Sequence, residues 1–263
     1  MTTNELKQII LTNDLNQFIH GADVQQIGIG CSGDSVLKIS KDGNDFFLKY
    51  SANKNIETEY KKLNWLQGCL PVPQIISYQH ENGIHYLLTR GLDGEMICTP
   101  RYMKNWHSGL NVILQAFEKL WATNIQDCSF DARLDYKLKQ IKVKIDSEQI
   151  KPEDIRPEFL EKYGSIDGIY EYLIKNKPDE QLCFSHGDTS LPNIFGHSDK
   201  LSGFIDVSDC GVGDIWFDIA VTAKSIKRNY NEEAVQIFYR EIKNKIGKIK
   251  HDIIDYYLTL VEL

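Results

Sequence analysis

No stretch of this chain approaches the ~18 consecutive apolar residues that a membrane-spanning helix needs. The opening Met1-Thr2-Thr3-Asn4-Glu5-Leu6 has no basic region running into an apolar core, so no signal peptide is read there. The six cysteines, at 31, 69, 98, 128, 183 and 210, never stand in CxxC spacing, which argues against a zinc site. Together these absences predict a cytoplasmic protein with free thiols. Positive charge is also in deficit, with 30 Lys and Arg against 37 Asp and Glu and a net charge of −7. A chain that grips nucleic acid carries a basic face, so nucleic acid is not expected as a partner. A negative surface draws cationic ligands, although solubility alone also explains this charge.

What is present is ordinary globular composition: 263 residues, 42% hydrophobic and 25% charged, enough to bury a sizeable core in one large domain or two lobes. Two textures follow one another. Up to about residue 90, short apolar runs alternate with turn signals. Ile27–Gly30, Ser35–Ile39 and Asp45–Tyr50 read as strands, and Lys41-Asp42-Gly43-Asn44 as a hairpin turn. Residues 56–67 read as a helix stopped by Pro71 and Pro73. A second hairpin follows, Gln74–Gln79 and His85–Thr89 around Glu81-Asn82-Gly83.

From about residue 105 the texture is helical, with helices at 107–123, 132–145, 167–176, 214–228, 231–246 and 251–262 around a strand-rich island at 183–207. The reading is α+β: a β-rich N-terminal lobe over residues 1–92 and a mainly helical C-terminal lobe over 93–263.

The informative stretch is Ser185-His186-Gly187-Asp188-Thr189-Ser190-Leu191-Pro192-Asn193-Ile194-Phe195, followed by Gly203-Phe204-Ile205-Asp206. A buried strand, a polar loop and a return hairpin gather Asp188, Asn193 and Asp206. Two carboxylates and an amide oxygen are a hard-oxygen set that suits Mg²⁺. Phosphoryl transfer requires this inventory: metal to neutralise phosphate charge, and a carboxylate outside the metal sphere to take the proton of the attacking hydroxyl. Asp188 is the candidate base; Asn193 and Asp206 are the candidate metal ligands. Asp and Asn are common in turns, and a single Asp–x₄–Asn carries little. The ordered set with apolar strands on both flanks is what turns alone do not explain. His186 reads as a structural imidazole bracing the loop.

The stretches HGDTSLPNIF and SGFIDVSDCGVGDIWFDIA, with GCSGDSVLKI, FFLKYS, ETEYKKLNWLQGCLPVP and LLTRGLDG, resemble the aminoglycoside 3′-O-phosphotransferases, antibiotic-resistance kinases with a protein-kinase-like two-lobed fold. The resemblance runs in order over nearly the whole chain. It implies that Asp188 is catalytic, that Asn193 and Asp206 hold Mg²⁺, and that Lys49 holds the α- and β-phosphates of ATP and pairs with Glu59. It implies further that Ser32 and Gly33 belong to the phosphate-covering loop, and that the Thr89–Leu92 stretch, with Thr89, Arg90 and Leu92, forms the hinge that reads the base. Taken alone, Lys49 reads equally as a residue that snorkels to solvent, and Glu59 as part of a solvated helix face. Asp218 resembles an aspartate that braces the catalytic loop, and Asp214 reads as an N-cap.

Three departures bear on specificity. Asp209 stands where those kinases carry an arginine facing the phosphates, with Lys224 and Arg228 as candidate replacements. The chain ends Val261-Glu262-Leu263 where they carry an acidic pair and an aromatic. The Lys49–Glu59 segment is shorter, and Thr89 replaces a larger residue, so GTP is expected as an alternative to ATP. The substrate expected is a small cationic, aminoglycoside-like molecule bound by Asp154, Glu262 and the Leu263 carboxylate. The segment 146–166, rich in acids, reads as a loop near it. The chain is expected to be a monomer or weak dimer. A sibling kinase acting on choline, a macrolide, homoserine or a sugar, and a nucleotide-binding pseudokinase, are the alternatives.

Overall fold

The computed structural model describes residue 15, residues 18–27 and residues 34–263. The chain divides into two compact units, Met1–Asp93 with Gly203–Ser208, and Gly94–Ser202 with Asp209–Leu263.

Among the described residues the first unit is built on a five-stranded antiparallel sheet and a helix that packs on it. Its strands are β1 (Asp23–Ile27), β2 (Ser35–Lys41), β3 (Asn44–Ser51), β4 (Ile75–Glu81) and β5 (Ile84–Arg90), in the order β1-β2-β3-β5-β4; the helix, α1, is Asn55–Leu66. The hairpin turns are tighter than the sequence reading. Asp42-Gly43 (φ 51° and 74°) and Asn82-Gly83 (φ 51° and 77°) are two-residue loops with both residues left-handed. That geometry matches the twist of the flanking strands and favours Asn, Asp and Gly. The strand expected at 27–30 is found instead as Asp23–Ile27, and residues 28–33, including Ser32 and Gly33, lie outside the described residues. Helix α1 ends at Leu66, before the prolines, because Gly68 turns the chain at φ 87°.

Register sorts the side chains of this sheet. Leu37 pairs with Leu48, which pairs with Leu88; all three face one side and form a core with Leu15, Ile39 and Tyr86. Val36 pairs with Lys49, which pairs with Leu87, on the other side. There α1 packs, with Ile56, Leu63 and Leu66 buried.

The second unit holds the helices α2 (Pro100–Lys104), α3 (Trp106–Ala122), α4 (Leu134–Asp146), α5 (Pro157–Tyr163), α6 (Ile166–Lys175), α7 (Ile215–Asn229), α8 (Glu232–Ile246) and α9 (His251–Leu260). Its strands are β6 (Glu95–Met96), β7 (Leu182–Ser185), β8 (Ile194–His197) and β10 (Gly211–Asp214), and β9 (Lys200–Phe204) begins in it. Strand β10 pairs antiparallel with β7, Gly211 opposite Ser185 and Asp214 opposite Leu182. The sequence reading missed β10 because Gly-Val-Gly-Asp reads as turn until a distant partner pairs with it. It also missed α5, inside the segment taken as a loop: Pro152 and Pro157, each at a first helical position, start a short 3₁₀ turn and α5. The core includes Phe117 edge-on to Phe238, and Phe217 edge-on to Tyr257, with ring centroids 5.5 and 5.6 Å apart. Among the described residues no helix is long and apolar enough to cross a membrane.

Candidate active site

In the first unit, β3 carries Lys49 and α1 carries Glu59 one turn in from its start. Lys49 Nζ donates to both Glu59 oxygens, at 2.7 and 2.9 Å, and stands 3.7 Å from Asp206 Oδ1. Burial pushes the Lys49 ammonium down, but Glu59, Asp206 and Asp34 outweigh it and hold the group above its ordinary range. Lys49 is therefore a fixed cation aimed along the helix face, not a snorkelling one. Helix α1 has two charged faces. Glu57 and Lys61 pair in solvent at 2.6 Å, whereas Glu59 and Lys62 point inward and are 8% and 7% exposed.

Lys62 escaped the sequence reading. Its Nζ donates to the Ser208 carbonyl at 2.6 Å, and the Phe204 amide donates to the Pro71 carbonyl at 2.9 Å, so Gly203–Ser208 is tied to the first unit at both ends. The spacing 56, 59, 62–63, 66 along one helix face was the available signal. Between those ties Asp206 adopts φ 57°, a left-handed conformation that non-glycine residues rarely hold without a constraint. Its carboxylate is half-exposed. In the Thr89–Leu92 stretch, the Arg90 and Gly91 amides donate to Gln74 and Asp45 carbonyls, and Thr89 Oγ1 leans on the Phe47 carbonyl at 3.5 Å. Arg90 itself reaches out to Asn44, at 2.6 Å. Among the described residues the Leu92 amide has no backbone partner.

In the second unit the loop after β7 hangs on one acid. Asp218, on α7, is fully buried; its two oxygens accept the His186 and Gly187 amides at 3.0 and 3.2 Å, and its carbonyl accepts the Thr189 hydroxyl. Burial pushes its carboxyl up, against the pull of His186, Lys137 and those amides. Gly187 must be glycine: φ is 83°, and a Cβ would run into the Asp209 carbonyl. Thr222 and Ser225, also on α7, bond Thr189 and the Leu191 amide. On this scaffold Asp188 is partly exposed. Its Oδ1 accepts the Ser190 amide at 3.1 Å and its Oδ2 the Asn193 amide nitrogen at 2.8 Å. Asp188 and Asn193 are thus brought together, and His186 holds the loop by accepting the Asp188 amide.

The residues expected at the substrate are placed differently. Glu262 is clamped: Arg156 donates to both its oxygens at 2.9 and 2.8 Å, and Lys224 to Oε1 at 2.9 Å. Burial pushes its carboxyl up, but the two cations win and hold it below the ordinary range. Lys224 is therefore engaged by Glu262. Arg228 pairs with no acid among the described residues, and Asp209 is exposed. Asp154 is exposed and accepts the Lys151 amide at 3.0 Å, closing a 3₁₀ turn. The Leu263 amide bonds back to Leu260.

Each unit offers hard-oxygen donors of the kind that magnesium takes. The Asn193 amide nitrogen is engaged by Asp188, which leaves the amide oxygen for a cation, and Asp206 offers a half-exposed carboxylate. Among the described residues no group of three His, Cys, Asp or Glu stands ready to hold a metal by itself.

A strand lysine paired with a helix glutamate in the first unit, and an aspartate beside an asparagine on a braced loop in the second, are residue types that kinase-like phosphoryl transfer uses. Residues 23–244 match the phosphotransferase enzyme family, and the chain belongs to that family. It is 30% identical to an aminoglycoside 3′-phosphotransferase of Niallia circulans over 89% of this chain and 90% of that protein. It is 28% identical to one of Acinetobacter baumannii over 96% and 99%. The fold is similar to the crystal structure of an aminoglycoside 3′-phosphotransferase of type VIII, with a TM-score of 0.80 and 22% identity, covering 95% of this chain and 99% of that one. It is also similar to APH(3″)-Id of Streptomyces rimosus in complex with ADP and streptomycin, at TM-score 0.75 and 19% identity, covering 100% and 98%.

Proposed function

We propose that the chain moves the γ-phosphate of ATP, with GTP as an alternative donor, to a hydroxyl of an aminoglycoside, the 3′-hydroxyl first among them, and so confers resistance. The reading rests above all on Asp188, whose carboxylate is held between the Ser190 and Asn193 amides on a loop hung from buried Asp218. The acceptor oxygen bonds to the γ-phosphorus, the bond to the bridging oxygen of the nucleoside diphosphate breaks, and the Asp188 carboxylate takes the hydroxyl proton. Lys49, kept in place by Glu59, holds the α- and β-phosphates. Asn193 and Asp206 would hold Mg²⁺, which supplies charge neutralisation on the phosphates when bound. Residues 1–92 serve as the nucleotide-binding lobe, with Ser32 and Gly33 over the phosphates and the Leu92 amide, beside Thr89 and Arg90, offered to the base. Residues 93–263 serve as the catalytic and substrate lobe.

The acceptor side follows from charge. The similarity to aminoglycoside 3′-phosphotransferases supports the aminoglycoside class. Glu262, tied to two cations, offers a polycation less than a free acid does, so Asp154 and the Leu263 carboxylate are left as the available anions. We place the enzyme in the cytoplasm, as a monomer or weak dimer. A coupled assay of nucleoside-diphosphate release over a panel of aminoglycosides, macrolides and amino alcohols tests the reading, with Asp188→Ala as control. Turnover confined to aminoglycosides supports it; turnover only with another class transfers the site to a sibling kinase. Phosphorus NMR of the product fixes the hydroxyl.

A further inference from the structure

Glu262, the last acidic side chain of the sequence, carries two cations of its own. Its side chain is 5% exposed. Arg156, the residue before α5, gives each of its oxygens a guanidinium N–H, at 2.9 and 2.8 Å, and Lys224 adds a third bond at 2.9 Å. The guanidinium is held from its other sides as well. Glu158 pairs with it at 3.3 Å, and the centre of the Phe159 ring lies 4.6 Å from its central carbon. A planar fork already fixed in this way loses little freedom in gripping a carboxylate. Lys224 stands on α7 between Thr222 and Ser225, whose hydroxyls bond the Thr189 carbonyl and the Leu191 amide. The clamp and the loop bearing Asp188 therefore share one helix of the second unit.

An ammonium of an acceptor bound beside that loop gains from Glu262 only by displacing Arg156 or Lys224. The exchange swaps one charge-assisted pair for another. The guanidinium belongs to the same chain, so it competes at the high effective concentration of an intramolecular partner. The net gain for the ammonium is then close to nothing. Resting on the acceptor reading above, we propose that Arg156 determines specificity as a built-in cation: it occupies Glu262 in place of an acceptor's ammonium, so that an aminoglycoside with a hydroxyl at that point is phosphorylated as readily as one with an amine.

The test is steady-state kinetics of the full chain with ATP and two matched pairs of acceptors, neomycin with paromomycin and kanamycin B with kanamycin A. Each pair differs by one amine in place of one hydroxyl. In wild type, kcat/KM within each pair should agree to within about threefold. Arg156→Gln, alone or with Lys224→Gln, should open the ratio for at least one pair to about tenfold in favour of the amine. Adding Glu262→Gln should return the ratio to its wild-type value, and Arg156→Lys, which keeps a cation in place, should stay near it. A substitution acting on stability alone would lower both members of a pair alike and leave their ratio fixed. If the chain without both cations does not fold, Arg156→Gln alone, with Lys224 still on Glu262, decides the question. Unchanged ratios in the Arg156 variants overturn the inference and leave phosphoryl transfer to aminoglycosides standing. So does a wild type that already favours the amine about tenfold and loses that preference in Glu262→Gln. Failure of the wild-type chain to phosphorylate any of the four compounds overturns both the inference and the acceptor reading beneath it.

Discussion

Lys49 and Asp188 are held by different physics. Lys49 is positioned by charge: Glu59 takes both donor directions, Asp206 and Asp34 add to the field, and the segment bearing Asp206 is pinned by another buried lysine, Lys62. Asp188 is positioned by neutral donors, the Ser190 amide and the Asn193 side chain, on a loop that one buried acid suspends by backbone amides. On the proposed roles, the difference follows from the task. A group that must grip phosphates can be held by an exchangeable ion pair. A base that must meet one hydroxyl proton has to keep its geometry whatever ions come and go, and directional hydrogen bonds to backbone do that.

The largest expected effect breaks the second arrangement at its working atom. Asp188→Ala should lower turnover about 10²- to 10⁴-fold while leaving nucleotide affinity within a few-fold; undiminished phosphoryl transfer would remove Asp188 from its role. Next, Asp218→Ala leaves the His186 and Gly187 amides buried without an acceptor. It should cost about 2–4 kcal/mol in urea unfolding and lower kcat more than KM for nucleotide. A variant as stable and as fast as wild type would mean that the loop is not suspended from this acid. Lys49→Met strikes the first arrangement and should raise KM for ATP about 10- to 100-fold. Glu59→Gln should give a smaller rise of the same kind, since it frees Lys49 without removing it. An equal loss from both substitutions would show that the pair acts only as a unit.

The smallest effect lies at Glu262. Its pKa in the folded chain is below the ordinary 4.5, through Arg156 and Lys224. A depressed carboxyl contributes stability that is present above the unfolded value and lost as pH falls through the folded one. Glu262→Gln should therefore lose about 1 kcal/mol at neutral pH, and the loss should shrink as pH falls below about 4.5. A difference that stays constant with pH would show that the clamp contributes nothing through charge. The same variant should leave KM for a cationic acceptor nearly unchanged if the clamp, and not the acceptor, is the partner of Glu262.

Much of the site was legible because its elements are local. Asp188 and Asn193 are five residues apart on one loop, and Lys49 and Glu59 are ten apart across a strand and a helix. What escaped was long-range: the pairing of β10 with β7, the Lys62 bond to Ser208, and the Arg156 and Lys224 clamp on Glu262. Lys62 looked like a solvated lysine because its neighbour Lys61 is one. Asp34 was not singled out at all, because nothing in the sequence says that it is buried.

By itself the sequence determined the order and type of most elements, the two hairpin turns and the set HGD–x₄–N–x₁₂–D, since turn chemistry, periodicity and short-range spacing act between near neighbours. Only the tertiary structure decided the matches made over long range: Glu262 with Arg156 and Lys224, and Lys62 with the Ser208 carbonyl. Pairing depends on burial and on contacts between residues far apart in the chain, and the free energy of a charge changes sign of consequence with its partner and its dielectric surroundings.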